Sequence, residues 1–333
     1  MAFVSDANEA PEERTLPALR GAELAFAAAT LSNPTVAVDL VPIDLAADPS
    51  GLADVAADRA YVAAIVAPGV PGAAARELLE AGLTVVDLSS RGDRVAGVVG
   101  TWRRLVPPLR VQAAVLAAHA DGARGSRAGA CVLEDPATSI GLARHAARAL
   151  HGRVVLSGRV SWDEVAEPVR RSGCPLLLWD GDGESAARVA SLLASGEPPR
   201  ITLLGGDRLR DAGFLADAGA AAEGTVSACG CADLSTSTSL RAQRFIQDFQ
   251  SEYGLAPGPH AVEAWDAAHL ILETLGEGVT RDEVAGRVAG ISFLDGLASD
   301  YWFAASGELA DPRASVRLAE VRGGRWIPLA DGP

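Results

Sequence analysis

The chain has 333 residues, 49% of them hydrophobic and 22% charged, with a net charge of −14. That length exceeds one ordinary hydrophobic core and predicts two lobes, while the balanced composition excludes a disordered chain. The acidic excess excludes a nucleic-acid partner, which would require basic clusters to neutralise phosphates, and no run of ~18 apolar residues is present to cross a membrane as a helix.

Ala2-Phe3-Val4 opens the chain as a strand, with none of the basic and apolar character of a signal peptide before it. Short apolar runs then recur at 36–41 (VAVDLV), 63–67 (AAIVA), 84–88 (TVVDL), 129–133 (GACVL), 153–157 (RVVLS), 175–179 (PLLLW), 201–205 (ITLLG) and 224–228 (GTVSA). Alanine-rich amphipathic segments at 72–82, 141–152 and 184–196 separate them, and Gly82, Gly152 and Gly196 follow as left-handed helix caps. Continuous apolar strands alternating with helices predict parallel sheets covered on both faces. The pattern restarts near residue 128, and 119–128 is read as a crossing between lobes. Helices are predicted from Leu240 to Tyr253 and over 260–276, and the tail, with turns at Ser306-Gly307 and Gly323-Gly324, reads as strands.

All 29 basic residues are arginine. The absence of lysine excludes phosphate-loop, Schiff-base and kinase-type chemistry, each of which needs an amine. GxSxG, HExxH and GxGxxG are also absent, and the five histidines are scattered, so neither an enzyme, a metal site nor a cofactor is expected. Cys131, Cys174, Cys229 and Cys231 lack zinc spacing, and Cys229-Gly230-Cys231 is expected to carry two ordinary thiols rather than a metal or a bridge.

The informative segments are therefore the loops after the strands: APGVPG (67–72) and DLSSRGD (87–93) in the first half, EDPATSIG (134–141), WDGDGES (179–185) and GGDRLRD (205–211) in the second. Each leaves an apolar strand and enters a helix, where backbone N–H groups receive anions and open α/β sheets bind ligands. Asp135 and Ser185 read as helix caps. Asp207 is either a ligand acceptor or a cap.

LRGAELAF (19–26), AIVAPGVPG with EAGLTVVDLSS, VLEDPATSIGLARHAARAL, LLLWDGDGESAARVASLL, LLGGDRL, Glu223-Gly224 and the helix pair carrying Trp265-Asp266-Ala267 run in one order and register along nearly the whole chain. Together they resemble type 1 periplasmic binding proteins of the branched-chain amino acid (leucine/isoleucine/valine) class, the solute receptors of ABC importers. The resemblance implies an α/β fold of two Rossmann-like lobes, joined by three crossovers and closing on ligand by hinge motion. Lobe one would span 1–121 plus 238–305, and lobe two 122–237 plus 306–333. It further implies a non-enzymatic receptor for a small organic solute, an amino acid or another carboxylate, with a membrane permease as partner. The location implied is extracytoplasmic, with the leader absent from this stretch of chain. A ligand-sensing regulatory domain of the same fold is the alternative.

Mapped onto this sequence, the resemblance implies a carboxylate held by Pro68, Gly69, Ser89, Ser90 and Arg91 on lobe one. Asp207, with Asp182, Trp179 and Ser139, would contact the ligand from lobe two. Two departures stand out: the loop over 67–72 has no hydroxyl, and Ser139-Ile140-Gly141 stands where the family carries an aromatic lid. Both imply a roomier, more apolar end to the site.

Overall fold

The computed structural model describes residues 1–7, 12–32, 38–90, 101–124, 129–195 and 201–329. Two compact units emerge, Met1–Pro108 with Cys231–Ser315, and Leu109–Gly230 with Val316–Pro333, so the chain passes between them three times.

Unit 1 begins with β1 (Ala2–Ser5), α1 (Glu12–Ser32), β2 (Val41–Asp44), α2 (Gly51–Ala57), β3 (Ala63–Val66), α3 (Gly72–Glu80), β4 (Thr84–Asp87) and β5 (Trp102–Arg104). Its sheet has the order β2-β1-β3-β4-β5 with all pairs parallel. β2 lies later than the run predicted over 36–41. Its Pro42 is tolerated because β2 is an edge strand, where a missing N–H costs no ladder bond. β3 and β4 are buried at every position, as strands covered on both faces must be.

Unit 2 holds α4 (Leu109–Arg124), β6 (Ala130–Glu134), α5 (Leu142–Ala149), β7 (Val154–Arg159), α6 (Ala166–Ser172), β8 (Leu176–Asp180), α7 (Gly183–Ala194), β9 (Thr202–Gly205), α8 (Ala212–Ala218) and β10 (Val226–Cys229). Unit 1 then resumes with α9 (Leu240–Tyr253), α10 (Ala261–Leu272), α11 (Arg281–Gly290), β11 (Phe293–Asp295) and β12 (Asp300–Trp302). The tail, β13 (Arg317–Arg322) and β14 (Arg325–Pro328), joins unit 2, giving the order β14-β13-β10-β9-β8-β6-β7. The two tail strands pair antiparallel, the others parallel.

The boundary of unit 1 falls at Pro108 rather than at 121. Leu109, Ala113, Leu116, Ala117 and Ala120 place one face of α4 in the core of unit 2 with Leu142, Ala146 and Leu178, so the helix belongs where its apolar stripe is buried. In unit 1, α1 lies so close to α10 that a β-carbon at Gly21 would stand 1.9 Å from the Ala261 carbonyl oxygen. The glycine of the LRGAELAF segment is thus required by helix–helix contact. Arg281 donates to the carbonyls of Val55, Ala56, Asp58, Tyr61 and Ala81, gathering the C-terminal ends of α2 and α3 with one guanidinium. A lysine amine has too few donors for that geometry.

The expectation of ordinary thiols fails. Cys131 and Cys174 form a disulfide, and Cys229 and Cys231 are disulfide-bonded too, which leaves no free cysteine. The reason lies in tertiary structure: β6, which carries Cys131, pairs with β8, and Cys174 stands just before β8. The two residues are 43 apart in sequence. Closing a loop of that order stabilises the fold by about 4 kcal/mol in the chain-entropy account.

Candidate functional site

In unit 1 the strands β3, β4 and β5 end together. Ala67-Pro68-Gly69-Val70 forms a turn in which the Val70 N–H donates to the Ala67 carbonyl at 3.4 Å and Gly69 takes φ +90°. Proline followed by a left-handed glycine is the type II pattern, so no residue with a side chain serves well at position 69. The turn leads into α3, whose N-cap is Pro71 and whose first turn contains no acid and no side-chain cap. Its leading N–H groups carry the positive end of the helix dipole.

Ser89 braces this turn. Its hydroxyl donates to the Val70 carbonyl at 2.8 Å, its N–H donates to Asp87 Oδ1 at 2.7 Å, and its carbonyl accepts from Arg104 Nη1 at 3.2 Å. The Ser89 hydroxyl thus ties the 67–72 turn to the loop after β4. Ser90 is buried beside it. Arg91 lies outside the described residues.

Beneath the loop sits a charge network that sequence reasoning missed. Arg104 is fully buried on β5, directly across the ladder from Asp87 on β4. Its Nη2 stands 3.5 Å from Asp87 Oδ2 and its Nε 3.3 Å from Glu308 Oε2, with the guanidinium 5.0 Å over the Trp102 ring. Burial pushes the Asp87 carboxyl upward while Arg104 opposes that shift. The only hint in sequence is an arginine pair inside an apolar strand, and the pair divides its labour. Arg103 turns the other way and caps the end of α11 through the Val288, Ala289 and Ile291 carbonyls.

In unit 2 the three loops after β6, β8 and β9 are stitched together. Asp180, at the end of β8, accepts from the N–H groups of Ile140 at 3.0 Å, Gly141 at 2.9 Å and Ala143 at 3.1 Å. A carboxylate of the protein thus occupies the anion-receptive start of α5. The Asp135 N–H donates to the Asp180 carbonyl, the Asp182 N–H to Thr138 Oγ1 at 3.2 Å, and Arg208 donates to the Thr138 carbonyl. Ser139 sits in the same loop, half-buried, its N–H donating to the Asp135 carbonyl at 3.0 Å.

Asp182 caps α7, accepting from the Ser185 N–H at 2.8 Å, so the cap is Asp182 and not Ser185. Trp179 lies in the core with 1% exposure, its indole N–H donating to Ser185 Oγ at 3.1 Å. It supports the loop from below. Asp207 is buried at the first position of a single 3-10 turn, Asp207–Arg210, whereas α8 is preceded by Asp211. Asp207 therefore stands at the start of that short turn rather than at the start of α8. Of the nine residues singled out from sequence, Pro68, Gly69, Ser89 and Ser90 share one cluster in unit 1. Ser139, Trp179, Asp182 and Asp207 share the strand-end region of unit 2.

Among the described residues no group of histidine, cysteine and carboxylate side chains could hold a metal, and no helix is long and apolar enough to cross a membrane.

No family model and no curated protein matches the chain. Solved structures match it along nearly its full length. One is the branched-chain amino acid transporter substrate-binding protein LivJ from Streptococcus pneumoniae in complex with isoleucine, at TM-score 0.79 and 15% identity, covering 98% of this chain and 99% of that one. A leucine-binding protein LivK from Thermotoga maritima matches at TM-score 0.77 and 16% identity, covering 99% and 97%. A solute-binding protein of an ABC transporter from R. palustris, in complex with benzoate, matches at TM-score 0.77 and 15% identity, covering 98% and 94%.

Proposed function

We infer, from a chain with the two-lobed fold of type 1 periplasmic binding proteins, that it is the extracytoplasmic receptor of an ABC importer for a small organic carboxylate. The observation that carries the reading is the full-length likeness to solute-binding proteins in complex with isoleucine and with benzoate. The described residues of the loops offer backbone donors and carboxylates, which suit binding.

In unit 1 the reading assigns the solute's carboxylate to the 67–72 loop, the uncapped start of α3 and Ser90, with Arg91 as a further cation. In unit 2 it assigns amine or hydroxyl donors of the solute to Asp207 and the outer face of Asp182. The hydroxyl-free 67–72 loop and the Ser139-Ile140-Gly141 stretch favour an apolar body larger than a branched aliphatic side chain. A buried disulfide between Cys131 and Cys174, with Cys229 and Cys231 also bonded, favours an oxidising compartment. A membrane permease is the partner such a receptor serves.

The test is thermal unfolding against amino acids, keto acids, aromatic acids and amides. A ligand at 100 times its dissociation constant adds about 2.7 kcal/mol to stability. Asp207→Ala should then abolish the shift from an amine-bearing ligand and keep that from a simple acid. A panel on which no carboxylate moves the transition removes the reading.

A further inference from the structure

The β11–β12 hairpin of unit 1 has one face that the solute-binding reading does not use. Phe293 pairs with Trp302 and Asp295 with Asp300 across the ladder, so these four side chains share one face, while Leu294 and Tyr301 point into the core. An outward face is ordinarily polar, yet here Trp302 is 60% and Phe293 40% exposed, their rings 4.5 Å apart.

The backbone under this face is fixed. The Tyr301 hydroxyl donates to buried Asp266 at 3.1 Å, and the Asp266 carboxylate also accepts the N–H groups of Leu297 and Ala298 in the connecting turn. The Trp302 carbonyl accepts from the Ala310 N–H at 2.7 Å. Trp302 is thus an exposed ring on a rigid mount, which lowers the ordering cost of a contact.

Trp302 also walls a cavity of about 410 Å³, with Leu309 and Ala310 as its apolar lining and Asp300 and Asp311 as its charged members. Asp311 is oriented by the N–H groups of Arg313 and Ala314, both accepted at Oδ1. Asp295 and Asp300 stand opposite one another, a like-charge pair that costs stability unless a cation intervenes. Arg241 neutralises Asp295 at 3.0 Å, whereas among the described residues no arginine pairs with Asp300.

We propose that this face docks the guanidinium of an arginine side chain on a partner protein, laid over the Trp302 indole and paired with Asp300 and Asp311. The partner's arginine would do at Asp300 what Arg241 does at Asp295. A flat, weakly hydrated guanidinium suits an aromatic floor flanked by carboxylates better than a compact ammonium.

The test uses the full chain with its disulfides intact and a short acetylated Gly-Arg-Gly peptide at 0.15 M salt. The neutral control is the same peptide carrying citrulline in place of arginine. The indole N–H signal of Trp302, assigned with Trp302→Phe, should shift saturably with the arginine peptide and stay still with the citrulline one. Trp302→Ala and Asp300→Asn should each weaken binding roughly two- to fivefold, whereas Asp163→Asn, on the exposed surface of unit 2, should not. Equal affinity for both peptides, or affinity unchanged in both Trp302→Ala and Asp300→Asn, overturns the proposal. Self-association that competes with the peptide and vanishes in Trp302→Ala would also overturn it, by making the face a contact between copies.

Discussion

The two units build their strand-end loops from the same alternation of strand and helix, but they manage charge in opposite ways. In unit 1 the charge beneath the loops centres on a cation, Arg104, held between Asp87 and Glu308, and the helix start at Pro71-Gly72 meets no acid. In unit 2 a carboxylate of the chain meets each of two helix starts, Asp180 at α5 and Asp182 at α7. An uncapped helix start remains receptive to an external anion, whereas one filled by Asp180 does not. Two units of like architecture can therefore differ in charge at their helix starts, because the choice rests on a few strand-terminal residues.

The contrast breaks most severely at Arg104. Arg104→Met leaves Asp87 and Glu308 facing each other with the intervening cation removed, and it should cost about 3–5 kcal/mol in urea unfolding. A smaller loss than in a surface Arg→Met control would mean that the network carries no net stabilisation.

Asp266 sharpens the contrast from within unit 1, since it too accepts three hydrogen bonds, yet no cation is among the influences on its titration. Burial, reinforced by the nearby Glu263, raises its carboxyl from 3.8 to about 7. The folded chain then binds this proton more tightly than the unfolded one. Stability from this group is complete below the unfolded value of 3.8 and is lost as pH rises towards about 7. The upper limit of that loss is about 4 kcal/mol at 1.36 kcal/mol per unit. Asp87, raised in the same direction, adds to the slope. Urea midpoints at pH 5 and pH 8 should differ in the wild-type chain and differ less in Asp266→Asn.

The smallest effects separate the two acids of unit 2. Asp180→Ala strips three backbone donors of their acceptor and should cost about 2–3 kcal/mol, whereas Asp182→Ala removes one half-buried cap bond and should cost about 1 kcal/mol. Equal losses would erase the distinction between a carboxylate that fills a loop cluster and an ordinary cap.

Much of the frame was legible in sequence. The helix from Leu240 to Tyr253 was readable to its ends, because an amphipathic stripe closed by Gly254 is a local signal. The runs at 63–67, 84–88 and 175–179 likewise became β3, β4 and β8. The site was legible only as loops. Asp180 and Asp182 are two residues apart in one glycine-rich loop, and nothing local says that Asp180 reaches back to the α5 start while Asp182 caps α7. That the Ser89 hydroxyl reaches the Val70 carbonyl across the adjacent loop was not readable either. The cysteines failed for the same reason.

The sequence alone determined the alternation of strands and helices, the three loops of unit 2 and two of unit 1, and an arginine-only basic set. These follow from periodicity, glycine and residue type, which act over a few positions. Tertiary structure decided which acid meets which donor. Asp180 reaches an N–H group 40 residues earlier in the chain, and Arg104 binds a glutamate that the chain supplies only after completing most of unit 2. Such pairings depend on strand order and register, and strand order is set by how whole faces are buried, not by any residue's immediate neighbours.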